Sequence, residues 1–165
     1  MIQYRDVVGH FGGTHFRAVV LEEMLKMFEG KFGIEVVGLP ESKRSVVTFG
    51  FISALSKKLN LNSIAWPTTC DMGAIYVISN LIKEDAKDLI KEAKPIEFLT
   101  RTSKFIKPLY LFLDEEVLLY AKLKKLKFKK VKIKKDEISL FVDGLEKKHP
   151  EVKRAIVNGW LGLES

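Results

Sequence analysis

The chain has 165 residues, of which 47% are apolar and 30% charged, and its net charge is +7. That is enough apolar matter for one domain, or one domain with a helical extension. No stretch approaches the roughly 18 uncharged apolar residues of a membrane span, and MIQYRDVVGH has no apolar leader core. The one cysteine, Cys70, excludes an internal disulfide and any metal site that needs several of the chain's own cysteines. A cytoplasmic protein with no membrane partner is expected.

In chain order, Asp6–Gly9 (DVVG) reads as a short strand and Gly9–His15 (GHFGGTH) as a glycine-containing turn. Phe16–Phe28 has helical spacing, with Phe16, Val19, Val20, Met24, Met27 and Phe28 on one side and glycines 30 and 33 to stop it. Ile34–Leu39 is expected as a buried strand, Val46–Leu59 as a helix and Ser63–Trp66 as a short strand. After the loop Pro67–Cys70, Asp71–Leu81 and the polar Asp85–Ala93 read as helices. This alternation of strands and helices with short links predicts a parallel sheet flanked by helices.

Leu109–Leu113 (LYLFL) reads as a β-rich apolar strand entered through Lys107-Pro108. Asp114 stands where an N-cap would, with Glu115 and Glu116 behind it, and lysines 122, 124 and 125 fall in the last turns. Acidic side chains at a helix start and cations at its end complement the helix dipole. Residues 122–135 hold nine lysines, and Phe128–Lys135 alternates apolar residues with lysine like a half-buried strand. Two readings of that run stand side by side. It is either a solvated edge strand, whose lysines block edge-to-edge pairing, or a surface for the phosphate backbone of RNA. Asp136–Lys148 and Glu151–Trp160 complete the chain as helices separated by His149-Pro150.

The residues that chemistry could use are few. A glycine turn between a first strand and a first helix is where α/β proteins bind phosphate, on backbone amides and the helix N-terminus. Gly12, Gly13 and Thr14 are the candidates there. His10 and His15 flank the turn and would need Asp71 to complete a metal or acid–base group; ordinary polar roles are the alternative. Cys70 reads as a small apolar residue rather than a nucleophile, Trp66 and Trp160 as packing anchors, and Asp114–Glu116 as capping carboxylates.

One stretch resembles a known family. Ile106-Lys107-Pro108-Leu109, Glu116-Val117-Leu118-Leu119-Tyr120-Ala121, Leu126-Lys127-Phe128, then Phe141–Pro150 (FVDGLEKKHP) with Val152-Lys153 are similar, in order, to motifs of the tRNA 2-thiolation branch of the PP-loop ATP pyrophosphatases. That branch holds the TtuA-type enzymes and the cytosolic eukaryotic thiolation enzyme. The resemblance covers about residues 105–160. It implies a reduced PP-loop domain of the adenine nucleotide alpha hydrolase-like type over residues 1–128. The lysine-rich segment and C-terminal helices, residues 129–165, would be packed on it.

Against the family's VSGGKDS loop, this chain has His10-Phe11-Gly12-Gly13-Thr14-His15-Phe16. The glycines remain, both serines are phenylalanine, the lysine is Thr14 and the aspartate is His15. Against TGHNLDDEA it has Trp66–Ala74, where Asp71 and Ala74 remain. Cysteines that bind iron–sulfur clusters or zinc in the family have no counterpart. The resemblance therefore implies a degenerate, non-catalytic member. Its expected partners are tRNA, contacted by Lys122, Lys125, Lys129, Lys132 and Lys134, and an active thiolation paralogue or a second copy of itself. No cofactor is assigned, ATP or AMP being the ligand such a loop would take, and no iron–sulfur cluster or zinc is expected. The alternative is an adenine-nucleotide-binding enzyme that adenylates or thiolates tRNA with an altered motif. A third reading is a scaffold whose cleft is filled by Phe11 and Phe16.

Overall fold

A computed structural model describes residues 5–39, 49–83, 94–100, 103–130 and 135–163. Five strands form one sheet in the order β2-β1-β3-β5-β4. They are β1 (Val7–Phe11), β2 (Glu35–Leu39), β3 (Ser63–Ala65), β4 (Ile96–Phe98) and β5 (Lys104–Ile106). β1 pairs in parallel with both β2 and β3, β3 pairs in parallel with β5, and β4 closes the edge antiparallel to β5. The expected α/β class with flanking helices is thus the observed one, with an antiparallel edge added.

The helices among the described residues are α1 (Phe16–Phe32), α2 (Phe49–Lys58), α3 (Cys70–Lys83), α4 (Asp114–Leu123), α5 (Glu137–Lys148) and α6 (Val152–Leu163). The strand residues alternate between two cores. Val8 on one face meets Val20, Leu21 and Leu25 of α1 and Val117 and Ala121 of α4. On the other face Val7 and Phe11 pack with Leu39, Ile52, Leu61 and Ile64 beneath α2. A third cluster joins Cys70 and Ala74 of α3 to Tyr110, Leu113, Val142 and Val157, and docks α5 and α6 on α3. α1 ends at Gly33, whose left-handed φ of 61° is the conformation glycine adopts without steric cost.

The structure changes several expected elements. Leu109–Leu113 is not a strand; the strand is Lys104–Ile106, and residues 108–112 form turns. Five consecutive apolar residues carry no period that separates strand from buried turn. Here Leu109, Tyr110 and Leu113 are buried while the backbone bonds locally, the Tyr110 N–H donating to Lys107 O at 3.1 Å. β4 had no strand signal strong enough to be expected. Phe128–Lys130 lies outside the sheet, so the expected lysine strand is not formed there; residues 131–134, with Lys132 and Lys134, lie outside the described residues, as does the helix expected at 85–93.

On α1, Leu21 and Leu25 are buried and Met27 points to solvent. The apolar residues run nearly all round that helix, so spacing alone could not fix its inward face. The N-cap position of α4 is Leu113, one residue earlier than expected, and Asp114 is the first helical residue. The Glu116 side chain reaches back to accept from the Leu113 N–H at 2.8 Å.

Candidate functional site

β1, β3 and β5 are parallel, so the segments that follow them emerge at the same end of the sheet. The chain leaves β1 for β2 on one side and crosses to β3 on the other. The carboxyl end at such a change of direction is where open α/β sheets offer a crevice. Gly12–Thr14, Trp66–Thr69 and Lys107–Leu113 converge there.

Phe11, the last residue of β1, meets Trp66, the first after β3, edge to face with ring centroids 5.4 Å apart. Phe16 at the start of α1 lies against Phe128, its centroid 6.3 Å away, and against His15 at 4.4 Å. The Lys129 N–H donates to Thr14 O at 2.7 Å, so the lysine-rich segment passes beside the glycine loop. Neither Gly12 nor Gly13 has a left-handed φ. A Cβ on Gly12 would meet nothing within 4 Å, whereas one on Gly13 would come within 3.0 Å of the Ala18 Cβ.

Asp71 is fully engaged. Its Oδ2 accepts the Asp114 N–H at 2.7 Å, and its Oδ1 accepts from Lys153 Nζ at 2.5 Å. The same ammonium donates to Asp143 Oδ1 at 2.6 Å, and Asp143 also pairs with Lys135. Lys153 is 6% exposed. Burial pushes its pKa down, but the hydrogen bonds and charges of Asp143 and Asp71 outweigh that and raise it above the ordinary lysine value. Asp114 accepts both Nε and a guanidinium nitrogen of Arg17 and the Thr69 hydroxyl at 2.8 Å. Arg154 donates to Glu116 at 2.6 Å and to Glu151. This chain of charges ties α1, α3, α4, α5 and α6 together at the carboxyl end of the sheet.

The sequence-derived candidates separate accordingly. Gly12, Gly13, Thr14 and Lys129 come together, while Asp71 faces the C-terminal helices. His10 is 5% exposed inside β1 with Nδ1 unpartnered. His15 sits at the N-cap of α1 without a side-chain cap bond, and burial, then Arg17, lowers its pKa. Among the described residues no three histidine, cysteine or acidic side chains form a group that could hold a metal. Cys70 is fully buried, and burial, then Asp71, pushes its thiol up to about 11, well away from a reactive thiolate. Lys122 and Lys125 are exposed at the end of α4, Lys125 with a left-handed φ of 54°. Arg17, Thr69, Asp143 and Lys153 were not among the expected site residues. Lys153 lies 82 residues from Asp71, a separation at which no local spacing signal exists.

Neither a family model nor a curated protein matches the chain. Its fold is similar to that of a solved α/β protein. The particular structure is the U34-tRNA thiolase NcsA from Methanococcus maripaludis with its [4Fe-4S] cluster, matched at a TM-score of 0.73 and 20% identity over 98% of this chain and 72% of that one. The cluster in that structure stands against the expectation that no iron–sulfur cluster goes with this chain. The donor set of this chain nevertheless does not fit such a cluster, which is held by several cysteine thiolates. It has one cysteine, which is buried and protonated. Among the described residues no helix is long and apolar enough to cross a membrane.

Proposed function

We propose that the chain is a non-catalytic relative of the PP-loop tRNA-thiolation enzymes and serves as a tRNA-binding subunit beside an active thiolation enzyme. The observation that carries this reading is the engagement of Asp71. The family resemblance makes it the carboxylate left from the second nucleotide motif, and here it accepts hydrogen bonds from Lys153 and the Asp114 amide. A carboxylate held by a buried ammonium is poorly placed to position a metal–nucleotide complex. The glycine loop points the same way. Phe11 and Phe16 stand where the family has hydroxyls, and their rings pack on Trp66 and Phe128.

The tRNA part of the reading rests on the fold shared with a tRNA thiolase and on the exposed lysines. Lys122, Lys124, Lys125, Lys127, Lys129 and Lys130 are all exposed. Such a cluster binds phosphate backbones without reading sequence and does so more weakly as salt rises. Two measurements test the proposal. Calorimetric titration with Mg-ATP is expected to show no tight binding and no pyrophosphate release; turnover with tRNA would sink the non-catalytic part. A gel shift with unmodified tRNA is expected at low salt and is expected to weaken when Lys129, Lys132 and Lys134 are changed to Glu. The absence of any shift at low salt would overturn the RNA part.

A further inference from the structure

After α4 the chain sorts its apolar and basic residues to opposite sides. Leu126 and Phe128 are half-buried against the core cluster of α1 and α4, while Lys125, Lys127, Lys129 and Lys130 are exposed. Alternate burial marks an extended backbone, whose side chains point to opposite sides in turn. The run is pinned at both ends. The Lys125 N–H donates to Lys122 O at 3.0 Å and the Leu126 N–H to Ala121 O at 2.9 Å, which closes α4. At the other end the Lys129 N–H donates to Thr14 O at 2.7 Å, beside the glycine loop. Phe128 rests on Phe16 just before that bond. The lysines therefore stand on a track fixed to the fold.

This track differs from an ordinary solvated surface. No acidic residue stands between Glu116 and Asp136 in the sequence. Among the described residues, Lys125, Lys127, Lys129 and Lys130 have no carboxylate partner. The helix dipole accounts for cations in the last turn of α4, but Lys127 and Lys129 lie beyond its reach. Lys125 also holds a left-handed φ of 54° just past the C-cap Lys124. Glycine is the residue that adopts this conformation without steric cost. A lysine there is the poorer choice for the backbone, and what it adds is its charge.

Two residues of extended chain span about 6.6 Å, close to the step between neighbouring phosphates of one nucleic-acid strand. We propose that Lys125, Lys127 and Lys129 form a ladder for three consecutive phosphates of one RNA strand, leading it from the end of α4 to the glycine loop. The ladder takes the backbone and reads no base, since Phe128 faces inward on Phe16 and leaves no ring there for stacking. This deepens the tRNA-binding reading and rests on it.

Binding of labelled, unmodified tRNA followed by fluorescence anisotropy over a salt series tests it. Lys127→Gln and Lys129→Gln are each expected to lower the log–log salt slope by roughly 0.8, the share of one phosphate contact. Lys125→Gly should lower it by as much while its melting temperature holds or rises, because glycine suits the left-handed backbone. Lys127→Gln combined with Leu123→Lys keeps the net charge but moves the cation to an exposed position on α4. That double variant should bind as weakly as Lys127→Gln alone. A wild-type slope that none of the three single changes lowers, or full recovery of affinity in the double variant, would overturn the ladder. Either result would leave tRNA binding in place, with the lysines acting as diffuse charge. No binding by the wild type at low salt would remove both readings.

Discussion

The glycine loop and the dock of the C-terminal helices lie at the same end of one sheet but are built in opposite ways. Round the loop the contacts include rings on rings, the Arg17 guanidinium over Phe16 and a backbone bond from Lys129 to Thr14. At the dock, a buried ammonium joins two carboxylates above a tightly packed apolar cluster. The two glycines show the contrast most sharply. A Cβ on Gly73 would stand 2.9 Å from the Tyr110 ring, while one on Gly12 would meet nothing within 4 Å. Gly73 is demanded by the chain's own packing, and Gly12 is not. The difference teaches that this end of the sheet is an ionic, close-packed joint on one side and, on the other, an aromatic-lined loop in which Gly12 alone has open space beside it.

The largest effect is expected from removing the ammonium. Lys153→Met leaves Asp71 and Asp143 facing each other, 14% and 21% exposed, with no shared cation. Breaking a buried pair by deleting one partner is strongly destabilising; with some water still reaching the carboxylates, a loss of about 3 kcal/mol is expected in urea unfolding. Lys153→Met with Asp71→Asn should recover part of it. If Lys153→Met unfolds like the wild type, the dock is not held by this pair.

Gly73→Ala comes next. The tyrosine ring is almost fully buried and has little room to retreat, so overpacking should cost about 2 kcal/mol. Gly73→Ala with Tyr110→Leu, which clears the space, should lose less than the two changes summed.

The pH dependence is smaller and has a definite sign. Burial pushes the Asp143 carboxyl up, but hydrogen bonds from Lys135 and Lys153 outweigh it and hold it below the ordinary range; the Arg154 hydrogen bond, then the Leu113 amide, do the same for Glu116. A carboxylate depressed in the folded state contributes stability above its unfolded pKa of roughly 4 and loses it as the pH falls through the folded value. The melting temperature should therefore hold from neutral pH to about pH 5 and fall below about pH 4. The fall should be shallower in Asp143→Asn, and an unchanged acid limb would remove the dock from the cause.

Much of this was legible in the sequence, and the reason is periodicity. β1, β2, β3 and most helices repeat apolar residues over enough positions to declare a strand or a helix. Leu109–Leu113 misled because a short apolar run reads the same in a strand and in a buried turn. β4 was lost because three residues with exposed Ile96 and Phe98 give no inward pattern. The glycine loop was legible because its residues are contiguous. The joint was not, since Arg17 and Asp114 are 97 residues apart and Asp71 and Lys153 are 82 apart. Asp71 read as a candidate site carboxylate, and Asp114 passed for a cap when its carboxylate in fact holds Arg17 and Thr69.

The smallest expected effect is also the one that separates the two regions most cleanly. Gly12→Ala adds a methyl group where no atom lies within 4 Å, at a residue whose φ is not left-handed. Stability should stay within about 0.5 kcal/mol of the wild type, or rise slightly because alanine restricts the unfolded chain. A glycine that its own fold does not require leaves its amide open to an approaching group. If Gly12→Ala keeps the melting curve yet weakens tRNA binding, the loop serves the RNA. If it destabilises by as much as Gly73→Ala, the loop is packed as tightly as the joint and the contrast between the two regions falls.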